Sequence, residues 1–204
     1  IVNLDESPFT FDIQLKKRIG HLGMLTDMDN RPIPDEWVSL IALSQQPSIK
    51  QGRNPWKTDQ ATPLKTNSRG QFYVPSESIN KWLLVTSEEG FLLSPNTLTA
   101  QQLVIQPWSK ITGTVVESDQ AVTNQRLGFR LVLPKGSTMK SPTFSDRALT
   151  KADGSFAFDR VPPGLIEIIA IPKETRAPST GRVIHSIELE PGSTESIHID
   201  LDLP

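Results

Sequence analysis

Apolar and polar residues alternate along this chain in short runs, and turn-forming residues separate one run from the next. Such alternation over four to eight residues is typical of β-strands that bury one side. The second half contains seven runs, at residues 110–117, 126–133, 148–151, 155–158, 165–171, 183–189 and 196–203. The first half contains comparable runs at 22–26, 37–43, 82–86, 91–93 and 103–106, with two more flanking Gly70. No stretch keeps a helical period over ten residues, so we predict an all-β protein.

One pattern occurs twice with a constant spacing. Residues 66–74 read TNSRGQFYV, and residues 150–158 read TKADGSFAF. Thr150 follows Thr66 by 84 positions, and the phenylalanines of the two copies keep the same spacing. Each copy has the composition of a β-hairpin in which glycine supplies the positive φ of the turn. The repeat predicts two similar small domains in tandem.

The length of the chain fits this division. An immunoglobulin-type sandwich needs about 100 residues, and the chain has 204. We predict two tandem seven-stranded Greek-key sandwiches of the immunoglobulin or prealbumin-like type, at residues 19–107 and 108–204, each with its own core. The predicted joint is Gln106-Pro107-Trp108, where proline fixes φ and should keep the connection short and stiff.

Residues 1–18 lie outside these two units. Phe9, Phe11, Ile13 and Leu15 alternate with smaller or polar residues and precede the basic run at 16–18. Such a strand exposes four large apolar side chains unless something covers it. We expect it to pair with the edge of the first sandwich. The alternative is that it is the remnant of a preceding module.

Composition excludes several classes of function. The chain has no cysteine, so neither disulfides nor thiolate metal sites can form. A net charge of −2 without a basic stripe does not favour a nucleic-acid partner. No apolar run approaches the roughly 18 residues that a membrane helix needs, so we expect no membrane insertion by this chain. The first residue is Ile1, and we expect the chain to be part of a larger protein.

Three strings in the second half carry a family resemblance: ITGTVV at 111–116, TKADGSFAF at 150–158 and VPPGLI at 161–166. Together they resemble the carboxypeptidase regulatory-like domains, which share a transthyretin-like seven-stranded sandwich. Leu165 stands where that family often has an aromatic residue. The first half departs further, since Arg69 replaces the turn aspartate and no Pro-Pro-Gly is present. The resemblance implies two tandem copies of an accessory module with no catalytic residues, of a kind found in bacterial envelope proteins.

The residue types needed for catalysis do not form a recognisable set. The chain has three histidines, His21, His185 and His198. The last two could form a metal-binding pair, but no third group stands at ligand spacing, and we interpret them as surface residues on adjacent strands. The chain lacks both a Gly-x-Ser-x-Gly elbow and a His-Glu-x-x-His motif. We therefore expect no enzyme activity, no catalytic residue and no cofactor.

A calcium site is the one metal hypothesis that the sequence raises. Asp27-Met28-Asp29-Asn30 begins like a calcium loop, but the sixth position lacks the glycine that such a loop needs. The competing interpretation is a polar turn stabilised by aspartate side chains. We adopt the latter and predict no metal site.

Four tryptophans remain as candidate contacts. Trp37 and Trp82 lie in apolar runs and are predicted to be in or at the edge of a core. Trp108 is predicted to pack between the two sandwiches, and Trp56 lies in a polar loop. An exposed aromatic ring in a loop can stack on a sugar or anchor a protein partner. Trp56 is therefore the candidate ligand or partner contact.

These observations favour a non-catalytic structural or protein-interaction module of a larger, exported bacterial protein. The polar loops at 45–63 and 134–145 would be displayed by a rigid scaffold. Expected partners are other domains of the same polypeptide or a separate protein, in the periplasm, at the cell surface or in the medium. The alternative is a carbohydrate-binding module that uses loop aromatics, with a glycan as ligand.

Overall fold

The structure is a computed structural model that describes residues 19–50, 52, 61–78, 81–95, 101–172 and 181–202. These residues form seventeen β-strands and one short 3-10 turn at Ser76–Ser78, with no α-helix among them. The strands of the first half are β1 (Gly20–Thr26), β2 (Trp37–Ala42), β3 (Ser48–Ile49), β4 (Ala61–Lys65), β5 (Gln71–Pro75), β6 (Lys81–Thr86), β7 (Phe91–Pro95) and β8 (Gln101–Val104). The prediction of an all-β fold is confirmed.

The strands of the second half follow in the same manner. They are β9 (Ser109–Glu117), β10 (Gln120–Ala121), β11 (Arg126–Leu131), β12 (Thr143–Phe144), β13 (Ala148–Leu149), β14 (Ser155–Val161), β15 (Gly164–Ile171), β16 (Arg182–Leu189) and β17 (Thr194–Asp200). Residues 1–18, with the predicted N-terminal strand, and residues 53–60, with Trp56, lie outside the described residues.

The first sandwich consists of two sheets with strand orders β5-β1-β8 and β4-β2-β6-β7. Strand β8 runs parallel to β1, whereas the other neighbours are antiparallel. The alternation of β2 and β6 turns Val38, Leu40, Leu83 and Val85 toward the facing sheet, where Leu25 meets them. These side chains form a core that belongs to the first half alone.

The second sandwich repeats this arrangement. Strand β9 lies between β14, which is antiparallel to it, and β17, which is parallel to it. The facing sheet has the order β16-β15-β11, and the short strands β12 and β13 share the far edge of β11, where the first sandwich has β4. The chain therefore forms two Greek-key sandwiches with equivalent strand orders.

The repeated sequence pattern forms the same hairpin in both halves. Gly70 and Gly154 have φ values of 70° and 75°, a conformation that other residues adopt only with strain. The buried hydroxyl of Thr66 accepts a hydrogen bond from the Glu36 backbone N–H at 2.8 Å. The buried hydroxyl of Thr150 does the same for Gln125 at 2.9 Å. Each threonine thus links its hairpin to the backbone just before the first long strand of the facing sheet, β2 in the first half and β11 in the second.

Replacing Thr150 by valine is expected to lower the free energy of unfolding by about 1 kcal/mol, because the partly buried Gln125 N–H loses its acceptor. Valine keeps the shape of threonine, so packing changes little. Thr123→Val is the control, because Thr123 is exposed and should change stability by less than about 0.5 kcal/mol. Urea unfolding measures both, and equal effects would contradict the assignment.

The two halves differ in length between these fixed points. Glu36 and Gln125 are 89 positions apart, whereas Thr66 and Thr150 are 84 apart. The first half therefore has five more residues between its second strand and its hairpin. This longer stretch contains β3, which does not pair within its own sandwich.

Candidate functional site: the joint between the two sandwiches

Strand β3 pairs with the second sandwich instead of the first. It runs parallel to β12, with Ser48 opposite Thr143 and Ile49 opposite Phe144. The Thr143 N–H donates to the Pro47 carbonyl, and the Ser145 N–H donates to the Ile49 carbonyl, both at 2.8 Å. The sequence pattern predicts a displayed polar loop here. The loop begins instead as an added edge strand of the neighbouring sandwich.

The side chain of Ile49 is fully buried, with 0% of its surface exposed. It belongs to the hydrophobic cluster of the second sandwich, which also contains Phe129, Phe144 and Met139. Burying one such aliphatic side chain contributes about 1.5–3 kcal/mol. The second core therefore includes a residue that the first half supplies.

The same cluster also reaches the first half through its sheet β4-β2-β6-β7. Ile41 and Leu84 point away from the first core and are fully buried in the cluster of the second sandwich. Around Ile41 and Leu84 both faces of this sheet are thus covered, which explains why β2 and β6 contain consecutive apolar residues. The expectation that each half has a separate core holds for the first sandwich and is wrong for the second.

A row of aromatic rings crosses the joint. The ring centroid of Phe91 lies 5.5 Å from that of Trp108 and 6.0 Å from that of Phe144, which lies 5.0 Å from Phe129. The indole N–H of Trp108 donates to the Ser87 carbonyl at 2.9 Å. The prediction that Trp108 packs between the two sandwiches is confirmed.

The linker itself is held against the first sandwich. Phe91 and Gln106 exchange two backbone hydrogen bonds, at 2.8 and 3.0 Å. Gly90 lies so close to the linker that a Cβ atom on it would be 2.0 Å from the Gln106 carbonyl oxygen. The joint is therefore restrained by paired backbone in addition to the proline predicted from the sequence.

A pocket of about 440 Å³ lies next to β3 and β12. Its walls include Gln46 from the first half, Met139 from the loop after β11, and the ion pair between Arg130 and Glu167. Gln46 donates from its side-chain amide to the Ser141 carbonyl at 2.9 Å, so both halves shape this pocket. The predicted display loop at 134–145 is also partly buried, because Met139 and Phe144 are in the core.

The structure corrects the interpretation of Trp37. This residue is 54% exposed instead of lying in a core. The Lys65 ammonium lies 5.8 Å from its ring centroid and 2.9 Å from the Asp35 carboxylate. Trp37 shares the sheet face of Ile41, but the second sandwich covers only the Ile41 end. Trp82, by contrast, is partly buried against the hydrophobic cluster of the second sandwich, in agreement with its predicted place in or at the edge of a core.

The remaining sequence candidates do not come together. His198 lies on β17, with Nδ1 2.8 Å from the Thr114 hydroxyl, whereas His185 lies on β16 in the facing sheet. Within the described ranges, no three His, Asp or Glu side chains could hold a metal ion. No helix in these ranges is long and apolar enough to span a bilayer. Whether Trp56 contacts a ligand stays a prediction.

The sequence Asp27-Met28-Asp29-Asn30 forms a turn held by its own side chains. The Asp27 Oδ1 atom accepts hydrogen bonds from the Asp29 and Arg31 backbone N–H groups, at 2.9 and 2.8 Å. The Arg31 guanidinium lies 2.7 Å from the Asp29 carboxylate, so the arginine balances the negative charge of this aspartate. The interpretation as an aspartate-stabilised turn is confirmed.

Glu36, next to Trp37, has a perturbed carboxyl group. Burial raises the pKa of Glu36 above its ordinary value of 4.5, the Trp37 N–H bond lowers it in part, and the charge of Glu89 raises it further. The folded protein therefore binds this proton more readily than the unfolded chain, so the ionised carboxylate costs stability as pH rises above that value.

Replacing Glu36 by glutamine is expected to raise the melting temperature at pH 7, because it removes a half-buried charge while keeping the acceptor for Trp37. The gain should disappear at pH values below the ordinary pKa, where the wild-type carboxyl is protonated too. Glu117→Gln, at an exposed position, is the control. A gain that is independent of pH would contradict the charge argument.

Comparisons with known proteins concern the fold. No known family profile and no curated protein matches the chain. Among solved structures, it is similar to the Bacillus anthracis TIE protein, with 11% identity over 88% of this chain and 33% of that chain, and a TM-score of 0.35. A streptococcal ancillary pilin matches with 12% identity over 88% and 61%, and a TM-score of 0.43.

GBS52, the minor pilin of Streptococcus agalactiae, matches with 10% identity over 88% of this chain and 94% of that chain, and a TM-score of 0.42. The chain thus spans about a third of the first of these proteins and less than two thirds of the second. At these identities and TM-scores, the likeness carries no argument about activity or partners.

Proposed function

We propose that this chain is a non-catalytic structural module of a larger, exported bacterial protein, in which two sandwiches act as one stiff spacer. The insertion of Ile49 into the neighbouring core is the observation that carries the proposal. A flexible tether would require only a linker, whereas here backbone pairing and a shared core connect the two halves. Interfaces between domains of one chain are usually polar and permit relative motion. This interface instead buries apolar side chains from both halves in one cluster.

The proposal includes the assignment of both halves to the carboxypeptidase regulatory-like domains. The equivalent strand orders and the paired threonine-glycine hairpins support two copies of one module. The sequence strings in the second half support that family. Such a module has a mechanical role, and its partners would be neighbouring domains of the same polypeptide or another protein outside the cytoplasm.

NMR relaxation of the full chain tests the stiffness. Backbone ¹⁵N relaxation should yield one rotational correlation time for the two sandwiches, the value expected for a particle of 22.6 kDa. Two separate, shorter correlation times would show a flexible tether and overturn the proposal. Adding Ile49→Ala is expected to separate the two values, while Ser48→Ala, on the same strand, should leave a single value.

Glycan binding is a second candidate because one observation favours it. The Trp37 ring is 54% exposed, although the Lys65 ammonium lies over it, and an exposed aromatic ring can stack on a sugar. Titration of tryptophan fluorescence with soluble oligosaccharides tests this candidate. A response that Trp37→Ala or Trp56→Ala abolishes would support it, and no response in the wild type would remove it.

A further inference from the structure

The two sandwiches differ in the outer face of the sheet that contains their first strand. In the first sandwich, the apolar residues of this surface are Leu22, Met24, Tyr73 and Val104, and we call it the β1 face. Gln71 and Gln102 flank Met24 on the two neighbouring strands, and Ile19 lies at the end of the face beside Tyr73. Leu22 pairs with Tyr73 across the sheet, and both point away from the core, because their neighbours Gly23 and Phe72 point into it. Ile19, Leu22 and Val104 are 72%, 56% and 36% exposed.

The equivalent surface of the second sandwich is hydrophilic. Gly113 pairs with Phe156 as Gly23 pairs with Phe72, and this pair aligns the two sheets. Thr112 then corresponds to Leu22, and Thr114 corresponds to Met24. Ser155, Ala157, Ser196 and His198 also belong to this face of the second sandwich. One architecture thus has a hydrophilic outer face in one copy and a more apolar outer face in the other, and an exposed apolar patch of this kind marks an interaction site.

The chain itself supplies a matching segment. Phe9, Phe11, Ile13 and Leu15 alternate in sequence and end three residues before Ile19. Those three residues can span about 10 Å, which is the distance from a sheet to a layer packed on it. The basic run at 16–18 would then lie near Glu77, which lines a concavity of about 570 Å³ beside Ile19.

We propose that residues 9–15 cover the β1 face, with their four large apolar side chains packed on Leu22, Met24 and Tyr73. Tethering favours this occupant over a second copy of the chain. A segment on a short linker has an effective concentration in the millimolar range, well above the micromolar concentration of a separate molecule. The segment and the face then remove each other's apolar surface from water.

Thiol labelling of the full chain tests the proposal, because the chain contains no cysteine. The variant Leu22→Cys should react with a soluble thiol reagent about tenfold more slowly than Thr112→Cys, its exposed counterpart in the second sandwich. Replacing Phe11 and Ile13 by serine in the Leu22→Cys variant should restore the rate. Val104→Cys is a second probe of the same face should Leu22→Cys fail to fold.

Each other result would overturn the proposal. Equal rates at Leu22→Cys and Thr112→Cys would mean that the face is open. Protection that weakens on dilution would identify a second copy as the occupant. Protection that persists without Phe11 and Ile13 would assign the cover to a different part of the chain.

Discussion

Replacing Ile49 by alanine is expected to lower the free energy of unfolding by about 2–5 kcal/mol and to split one unfolding transition into two. The side chain is fully buried in the second core, and truncation leaves a cavity in the cluster that also contains Phe129, Phe144 and Met139. Because Ile49 belongs to the first half, the loss also weakens the coupling between the sandwiches. Differential scanning calorimetry measures both effects. The enthalpy and midpoint of unfolding report the loss of stability, and the number of peaks reports the number of transitions.

Ser48→Ala is the matched control, because it lies on the same two-residue strand but is exposed. It should change stability by less than about 0.5 kcal/mol and leave one transition. If the wild type already unfolds in two transitions, or if both variants behave alike, Ile49 does not couple the sandwiches.

Replacing Gly90 by alanine is expected to destabilise the protein by about 3 kcal/mol, through the linker. The added Cβ would lie 2.0 Å from the Gln106 carbonyl oxygen and 2.7 Å from its carbon. These are backbone atoms, so no side-chain rotation relieves the overlap, and the Phe91–Gln106 pairing must open. Intrinsic fluorescence should also change, because Trp108 packs against Phe91.

Glu89→Ala is the control for this variant, since Glu89 is exposed and precedes Gly90 directly. It should leave both stability and the Trp108 emission near their wild-type values. A Gly90→Ala protein with wild-type stability would mean that the linker has room to move. The joint would then be softer than the backbone pairing implies.

The sequence predicts the architecture well where local rules decide it. Gly70 and Gly154 must occupy turns, and the alternation around them indicates which residues face inward. The buried threonines of the repeated pattern accept equivalent backbone hydrogen bonds, each in its own sandwich. The turns and the alternation depend on neighbours in sequence, so a single chain is sufficient to recognise them.

The joint is harder to predict because it depends on contacts between distant residues. Ile49 is one apolar residue in a polar loop, and nothing local indicates that a second core will cover it. Trp37 and Ile41 occupy the same face of one strand, yet one is exposed and the other is buried. The difference arises from how far the second sandwich extends over that face. The consecutive apolar residues of β2 and β6 are the sequence signal for this contact, because they indicate a sheet that is buried on both faces.

The pairing of β3 with β12 has a consequence for synthesis of the protein. The partners lie about 95 positions apart, as the bond from Gln46 to Ser141 illustrates. At a translation rate of about 5–20 residues per second, Ile49 leaves the ribosome some 5–20 seconds before Phe144 does. During that interval the nascent first half exposes the unpaired backbone of β3 and the apolar side chain of Ile49. A chaperone that binds such unpaired strands would therefore act on this chain at a defined stage of its translation.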